Sequence, residues 1–411
     1  MKKRVKHIFI LSMLASVLLY SCSIKEKEVT LDSEELLSFD VSTLDDREYD
    51  VNLSELMESV EIVQLDNSTE EAFGRIVDVA ISKNYIATIN VGNCVKLYKR
   101  KNGRFLGNIG NRGQGPGEYL SVSEIKIDED ENRIYIWAGM RDHIYSYDLN
   151  GTFIPKETIY LPKGCTTRGI IFPNRKKNEV IVFGTPYSHY QRENTLYENE
   201  KNVCWIQDFK GNIRDSIPAS NFIIQRSSSF CWASHIDPNT PIYSYALRTI
   251  RSEMRRDTIY HYNSMTNQLY PVYTNNYPHE SNNVFTSLES VSHYYTIYAT
   301  YRKGRITNPE NLLEYKILQV DKKTHNGKYI RMMNDYLCGI EVVLYDFLIS
   351  TKNNYSFIDY HPLDLKDQLE EALETNKDMS DEVRKHITRM KNRLNENDND
   401  ILVICKFKKE I

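Results

Sequence analysis

The sequence predicts an all-β fold, a six-bladed β-propeller with a C-terminal helical insertion before its last strand. Three observations carry this. From about residue 58 to 360, short runs rich in Val, Ile and Tyr alternate with polar turns, and no long helical period intervenes. Residues 76–106 and 123–154 align as units, each ending in a Tyr-terminated strand, Asn-Gly and an aromatic, with Gly103 and Gly151 48 residues apart. The emphatic strand 401–408, ILVICKFK, stands near the C-terminus and needs a sheet to join. Pairing it with the early strand Val60–Leu65 closes a ring and removes open edges.

The elements follow in chain order. Residues 1–22 read MKKRVKHIFILSMLASVLLYSC. A basic start precedes an apolar run, Ile8–Tyr20, that is short for a membrane span, so residues 1–21 read as an export signal. Leu19-Tyr20-Ser21-Cys22 resembles a bacterial lipobox, which implies cleavage before Cys22 and lipidation there, a stable anchor. The expected location is the cell envelope, as an outer-membrane lipoprotein facing either the periplasm or the surface. Residues 22–57 are polar and charged, and are expected to form a flexible, lipid-anchored tether.

The propeller is expected over 58–411. Candidate strands are Val60–Leu65, Ile76–Ile81, Tyr85–Asn90, Cys94–Tyr98, Ile125–Asp128, Ile134–Trp137, His143–Tyr147, Glu179–Phe183 and Val203–Asp208. Further repeats are expected over 169–217, 229–273, 285–320 and 338–360. One such unit cannot bury both its faces, and radial stacking buries them. Within 363–396, Leu365, Leu369 and Leu373, then Val383, Ile387, Met390 and Leu394, recur at helical spacing. This predicts one or two amphipathic helices packed on the body, with a partner-docking face as the alternative.

The stretch Asn102–Tyr119, NGRFLGNIGNRGQGPGEY, together with the export start and the terminal strand, resembles the six-bladed β-propeller lipoproteins of Bacteroides and relatives, which are NHL-like or TolB-like. The resemblance covers most of residues 58–411. It is specific in the first two blades and fades in blades three to five, where insertions interrupt the pattern. It implies an exported propeller and no single chemistry.

Composition narrows the functions. The chain carries 52 Lys+Arg and 56 Asp+Glu. Without residues 1–21, which hold Lys2, Lys3, Arg4 and Lys6 and no acid, the net charge falls to -8. Such a surface disfavours nucleic acid, whose phosphates need concentrated cation. The membrane is expected to be met through the lipid alone. The cysteines beyond Cys22 form no CxxC pair and read mainly as small buried hydrophobes.

No cofactor or metal is expected. Gly110–Tyr119 lacks the Lys-Ser/Thr of a phosphate loop and precedes a strand, so its glycines read as an inter-blade loop. The histidines are scattered without HExxH, Asp128–Asn132 lacks calcium-loop spacing, and no GxSxG occurs. The 29 tyrosines read chiefly as inter-blade packing, with some free to stack on a ligand. The interruptions Thr185–Lys201 and Ser220–Asp237 are the expected variable loops. Arg112, His189, Tyr190, Arg226 and Trp232 are therefore the candidate ligand-binding residues.

The leading function is a binding or scaffolding module for a glycan, peptide or envelope protein. The alternatives are a hydrolase or lyase at the central channel mouth, with unassigned catalytic residues, and an accessory subunit docking through its C-terminal helices.

Overall fold

The computed structural model describes residues 35–66, 76–90, 92, 94–139, 142–162, 169–188, 202–219, 222, 224–225, 230–248, 257–278, 283–302, 312–342, 354–376 and 379–408. They form a six-bladed propeller. Blade one pairs Ile76–Ile81, Tyr85–Asn90, Val95–Lys99 and Phe105–Ile109 in that order. Blade two pairs Val122–Asp128, Arg133–Ala138, His143–Tyr147 and Ile159–Tyr160. Blade three pairs Gly169–Asn174, Glu179–Gly184, Asn202–Gln207 and Ile213–Pro218. Blade four pairs Phe230–Ser234, Ile242–Arg248, Ile259–Asn263 and Gln268–Asn275. Blade five pairs Asn283–Glu289, His293–Tyr301, Leu312–Asp321 and Gly327–Asn334.

Blade six joins the two ends of the chain. Its described strands are Tyr355–Tyr360, Ile401–Phe407 and Met57–Gln64, with Val63 opposite Leu402 and Phe357 opposite Ile404. The expected pairing of the terminal strand with the early one is what the structure shows. Ile340–Glu341, expected at the start of a sixth repeat, instead pairs with Met333–Asn334 in blade five.

The expected flexible tether is corrected over its second half. Leu37–Phe39 runs parallel to Tyr273–Asn275 on the outer edge of blade four, and Glu48–Asn52 runs parallel to Tyr329–Met333 on that of blade five. The free backbone groups of two edge strands supply the driving force, and only Phe39 and Val51 in these strands are buried.

Each blade buries both faces against its neighbours. Val79, Ile86 and Tyr98 of blade one meet Val63, Phe357 and Leu402 of blade six. Ile109 of blade one meets Ile136 and Tyr147 of blade two. Trp137 and Ile144 meet Val180 and Trp205 at the next junction. Phe183 and Cys204 of blade three meet Tyr245 and Tyr262 of blade four. The largest core spans blades four, five and six.

A glycine recurs where blades touch. Gly103, Gly151 and Gly211 sit in the third-to-fourth-strand hairpins of blades one to three, at φ of 66°, 84° and 88°. A Cβ on each would lie 1.9, 2.8 and 3.0 Å from the backbone oxygens of Gln64, Asn108 and Tyr160 on the preceding blade. In blade four Asn267 takes the left-handed conformation, and its amide donates to Ser216 O at 3.4 Å. The Asn-Gly pairs in the repeats are thus contact points between blades as well as turns.

The helical insertion connects the strands Tyr355–Tyr360 and Ile401–Phe407 of blade six. Helix Pro362–Thr375 starts with proline in its first turn. Helix Asp381–Lys391 is capped by Ser380, whose Oγ accepts from Val383 N at 3.3 Å. Arg384 donates to Leu373 O at 2.6 Å and Asn376 O at 2.9 Å, satisfying carbonyls at the end of the first helix. Leu365, Leu369, Ile387 and Leu394 enter the largest core. The apolar stripe therefore packs on the body, except for Val383, which is exposed.

Candidate functional site

The five sequence-derived ligand residues do not assemble into one described site. His189, Tyr190 and Arg226 lie outside the described residues, as does Cys22. Arg112 is exposed, and its Nη1 donates to Gly92 O at 2.8 Å. Trp232 requires correction. It is 4% exposed on the first strand of blade four and packs in the core with Ala246 and Ile259. Burying the indole's large apolar surface there leaves no face for a ligand.

The glycine-rich segment is a clasp between blades one and two. Glu118 turns inward and accepts from Gly115 N at 2.9 Å, and a Cβ on Gly113 would stand 2.0 Å from its Oε2. Tyr119 Oη accepts from Val95 N at 2.9 Å and donates to Ile109 O. Tyr147 Oη donates to Gly117 O at 2.5 Å. The backbone amides serve the clasp and do not converge on an anion.

A denser polar constellation lies at the opposite ends of the strands, between blades four and five. Two hairpins of blade five build it. In the first, Ser290 N donates to His293 O at 2.9 Å and His293 N to Ser290 Oγ at 3.2 Å. In the second, Asp321 Oδ1 accepts from the amides of Lys323 at 2.9 Å and Thr324 at 2.6 Å and from the Thr324 hydroxyl at 2.9 Å. Aspartate nucleates this turn because a short carboxylate reaches its own following amides.

Glu289, 1% exposed, ends the first strand of the blade. His261 Nε2 from blade four lies 2.8 Å from its Oε1, and Lys322 Nζ lies 2.6 Å from its Oε2. Burial alone raises the carboxyl's pKa, but the charges and hydrogen bonds of His261 and Lys322 outweigh it and hold Glu289 far below the usual carboxylate range. Lys322 also lies 4.7 Å from the centroid of Tyr294, which stacks on Tyr273 at 4.5 Å.

Beside this lock is an open depression of about 310 Å³ lined by His293, Gln319, Asp321, Asn326, Gly327 and Lys328. Burial lowers the His293 pKa to about 4; Asp321 opposes the shift, and Lys322 and Lys328 assist it. The imidazole is therefore neutral at physiological pH. His293 Nδ1 is 2.8 Å from Ser292 Oγ, and Nε2 is 3.7 Å from Asp321 Oδ2. The second separation exceeds a hydrogen bond, so the serine–histidine–aspartate set lacks the link that orients a catalytic base.

This region leaves no motif in the sequence, because its members are far apart in the chain. His261 and Glu289 come from different blades, and His293 meets Asp321 across two strands. The one local signal was the Asp321–Gly327 turn.

The family model described as "Domain of unknown function (DUF4934)" matches residues 36–406. A crystal structure from Bacteroides fragilis named "Putative exported protein" is 18% identical, with a TM-score of 0.57, covering 91% of this chain and 100% of that one. A duf4221 family member from Bacteroides vulgatus is 10% identical, with a TM-score of 0.49, covering 86% of this chain and 97% of that one. No curated protein matches the chain. The match runs from the first edge strand into the closing strand of blade six, and the chain belongs to the DUF4934 family.

Proposed function

We propose that this protein is an exported, lipid-anchored propeller of the outer membrane that acts as a binding or scaffolding module for a glycan, peptide or envelope protein. The start MKKRVKHIFILSMLASVLLYSC supports export and attachment at Cys22. The observation that carries binding over catalysis is the commitment of the gathered charges to structure. Glu289 is held by His261 and Lys322. Glu157 is held by Arg133 at 2.6 Å and by Arg175 at 2.6 Å, and Glu61 by Arg100 at 2.7 Å. These carboxylates join one segment of the ring to another, and a general acid or base must be free to exchange its proton with a substrate.

Two measurements test the reading. Cys22→Ala is expected to move the protein from the membrane to the soluble fraction and to abolish incorporation of labelled palmitate. Cross-linking in intact envelopes, followed by purification, is expected to recover a discrete protein or glycan partner. Turnover of a glycan or ester panel with no partner recovered would reverse the choice in favour of a hydrolase.

A further inference from the structure

We propose that the depression on blade five is a saccharide-binding subsite, with Asp321, Asn326, Gln319, His293 and Lys328 as its hydrogen-bonding groups. The proposal rests on the binding reading above and names a ligand class and a place for it. The subsite is built on the strand-end hairpins opposite the inter-blade loops, so it is separate from the surface around Arg112.

Its volume of about 310 Å³ lies at the small end of ligand pockets. The lining balances donors and acceptors. Asp321 keeps Oδ1 in its turn, and Oδ2 points towards the imidazole. Gln319 is 3% exposed, and its amide nitrogen donates to Tyr295 Oη at 3.4 Å, which fixes the carboxamide plane. His293 offers Nε2, since its Nδ1 faces Ser292 Oγ at 2.8 Å, while Asn326 offers both a donor and an acceptor and Lys328 an ammonium.

Charge selects among ligand classes. Asp321 and Lys328 are the charged residues of the lining, and they cancel. A phosphate would meet the Asp321 carboxylate at short range without a surplus of cations, which is unfavourable. An apolar ligand would take the Asp321 carboxylate and the Lys328 ammonium out of water without satisfying either. Adjacent hydroxyls, each both donor and acceptor, suit a carboxylate, two carboxamides and an imidazole set side by side. The scaffold is stiff: one hairpin is pinned by the Glu289–Lys322 contact, and Gly327 packs so closely that a Cβ would approach the Phe39 ring to 2.2 Å. A preorganised lining lowers the entropic cost of binding.

The test is saturation-transfer NMR on the full mature chain. The probes are glucose, galactose, mannose and N-acetylglucosamine, each at millimolar concentration, with inorganic phosphate as competitor. Transfer to at least one sugar is expected from the wild type, undiminished by phosphate. Asp321→Asn keeps an acceptor for the turn amides but removes the carboxylate's charge; it and Lys328→Gln are each expected to weaken transfer at least tenfold while the circular dichroism spectrum and a cooperative melt are retained. No transfer to any of the four sugars, or displacement by phosphate, overturns the proposal. Sugar binding lost in Arg112→Gln but retained in Asp321→Asn also overturns it, while leaving the broader binding reading in place.

Discussion

At the scale of single residues, close approach and burial make separable predictions. Gly103 and Gly339 both have positive φ, 66° and 76°, but a Cβ on Gly339 meets nothing within 4 Å, whereas one on Gly103 meets Gln64 O at 1.9 Å. Gly339→Ala is expected to cost about 1 kcal/mol, the backbone term alone, and Gly103→Ala about 2–4 kcal/mol, by urea unfolding. Equal costs would mean that the blade contact does not constrain the glycine. Titration gives a second test. His293 has a folded pKa of about 4 against an ordinary 6.5, so the unfolded chain protonates first and stability falls as pH drops from 6.5 towards 4. Glu289 is depressed in the fold, so its contribution is full above the usual carboxylate range and is lost as pH falls below it. Melting curves across pH should therefore show a two-stage decline. His293→Gln is expected to reduce the upper stage, to which the partly buried His235 also contributes, and Glu289→Gln the lower.

At the scale of elements, legibility followed hydrophobic pattern. Tyr85–Asn90 and His143–Tyr147 coincide with their sequence-derived bounds because they bury nearly every residue and read as apolar runs, and Ile76–Ile81 coincides too, although its Val77 faces solvent. The helices were legible through Leu365, Leu369 and Ile387, all buried as their spacing requires. The edge strands Leu37–Phe39 and Glu48–Asn52 were not, since backbone pairing holds them and each buries a single apolar side chain. The blade-five depression was illegible for another reason: its lining comes from three strands, and no local spacing encodes their register. Trp232 showed the limit of residue type, because indoles suit cores and binding faces equally. Phe39→Ala is expected to cost about 2–4 kcal/mol, since the ring fills space against Gly327 beside the Tyr273 strand. Hydrogen exchange should localise the loss to the outer strands of blades four and five. Protection lost evenly around the ring would show that the edge strand is not a local cover.

At the scale of the whole molecule, closure makes the ring cooperative. Ile401–Phe407 is flanked on both sides within blade six, and its Leu402 and Ile404 also form the junction with blade one. Leu402→Ala is expected to cost about 2–5 kcal/mol and to weaken both neighbouring interfaces in a single transition. Two separate transitions would mean that the ring tolerates one open seam. The path of the N-terminal segment has a mechanical consequence. Tension entering at Leu36 meets an attachment of three residues on blade four, then one of five on blade five, then one of eight in blade six. The grips lengthen towards the ring, so a pulled molecule should yield in graded steps at rising force. The first two steps would shed slack while the seam that holds the propeller shut stays unloaded.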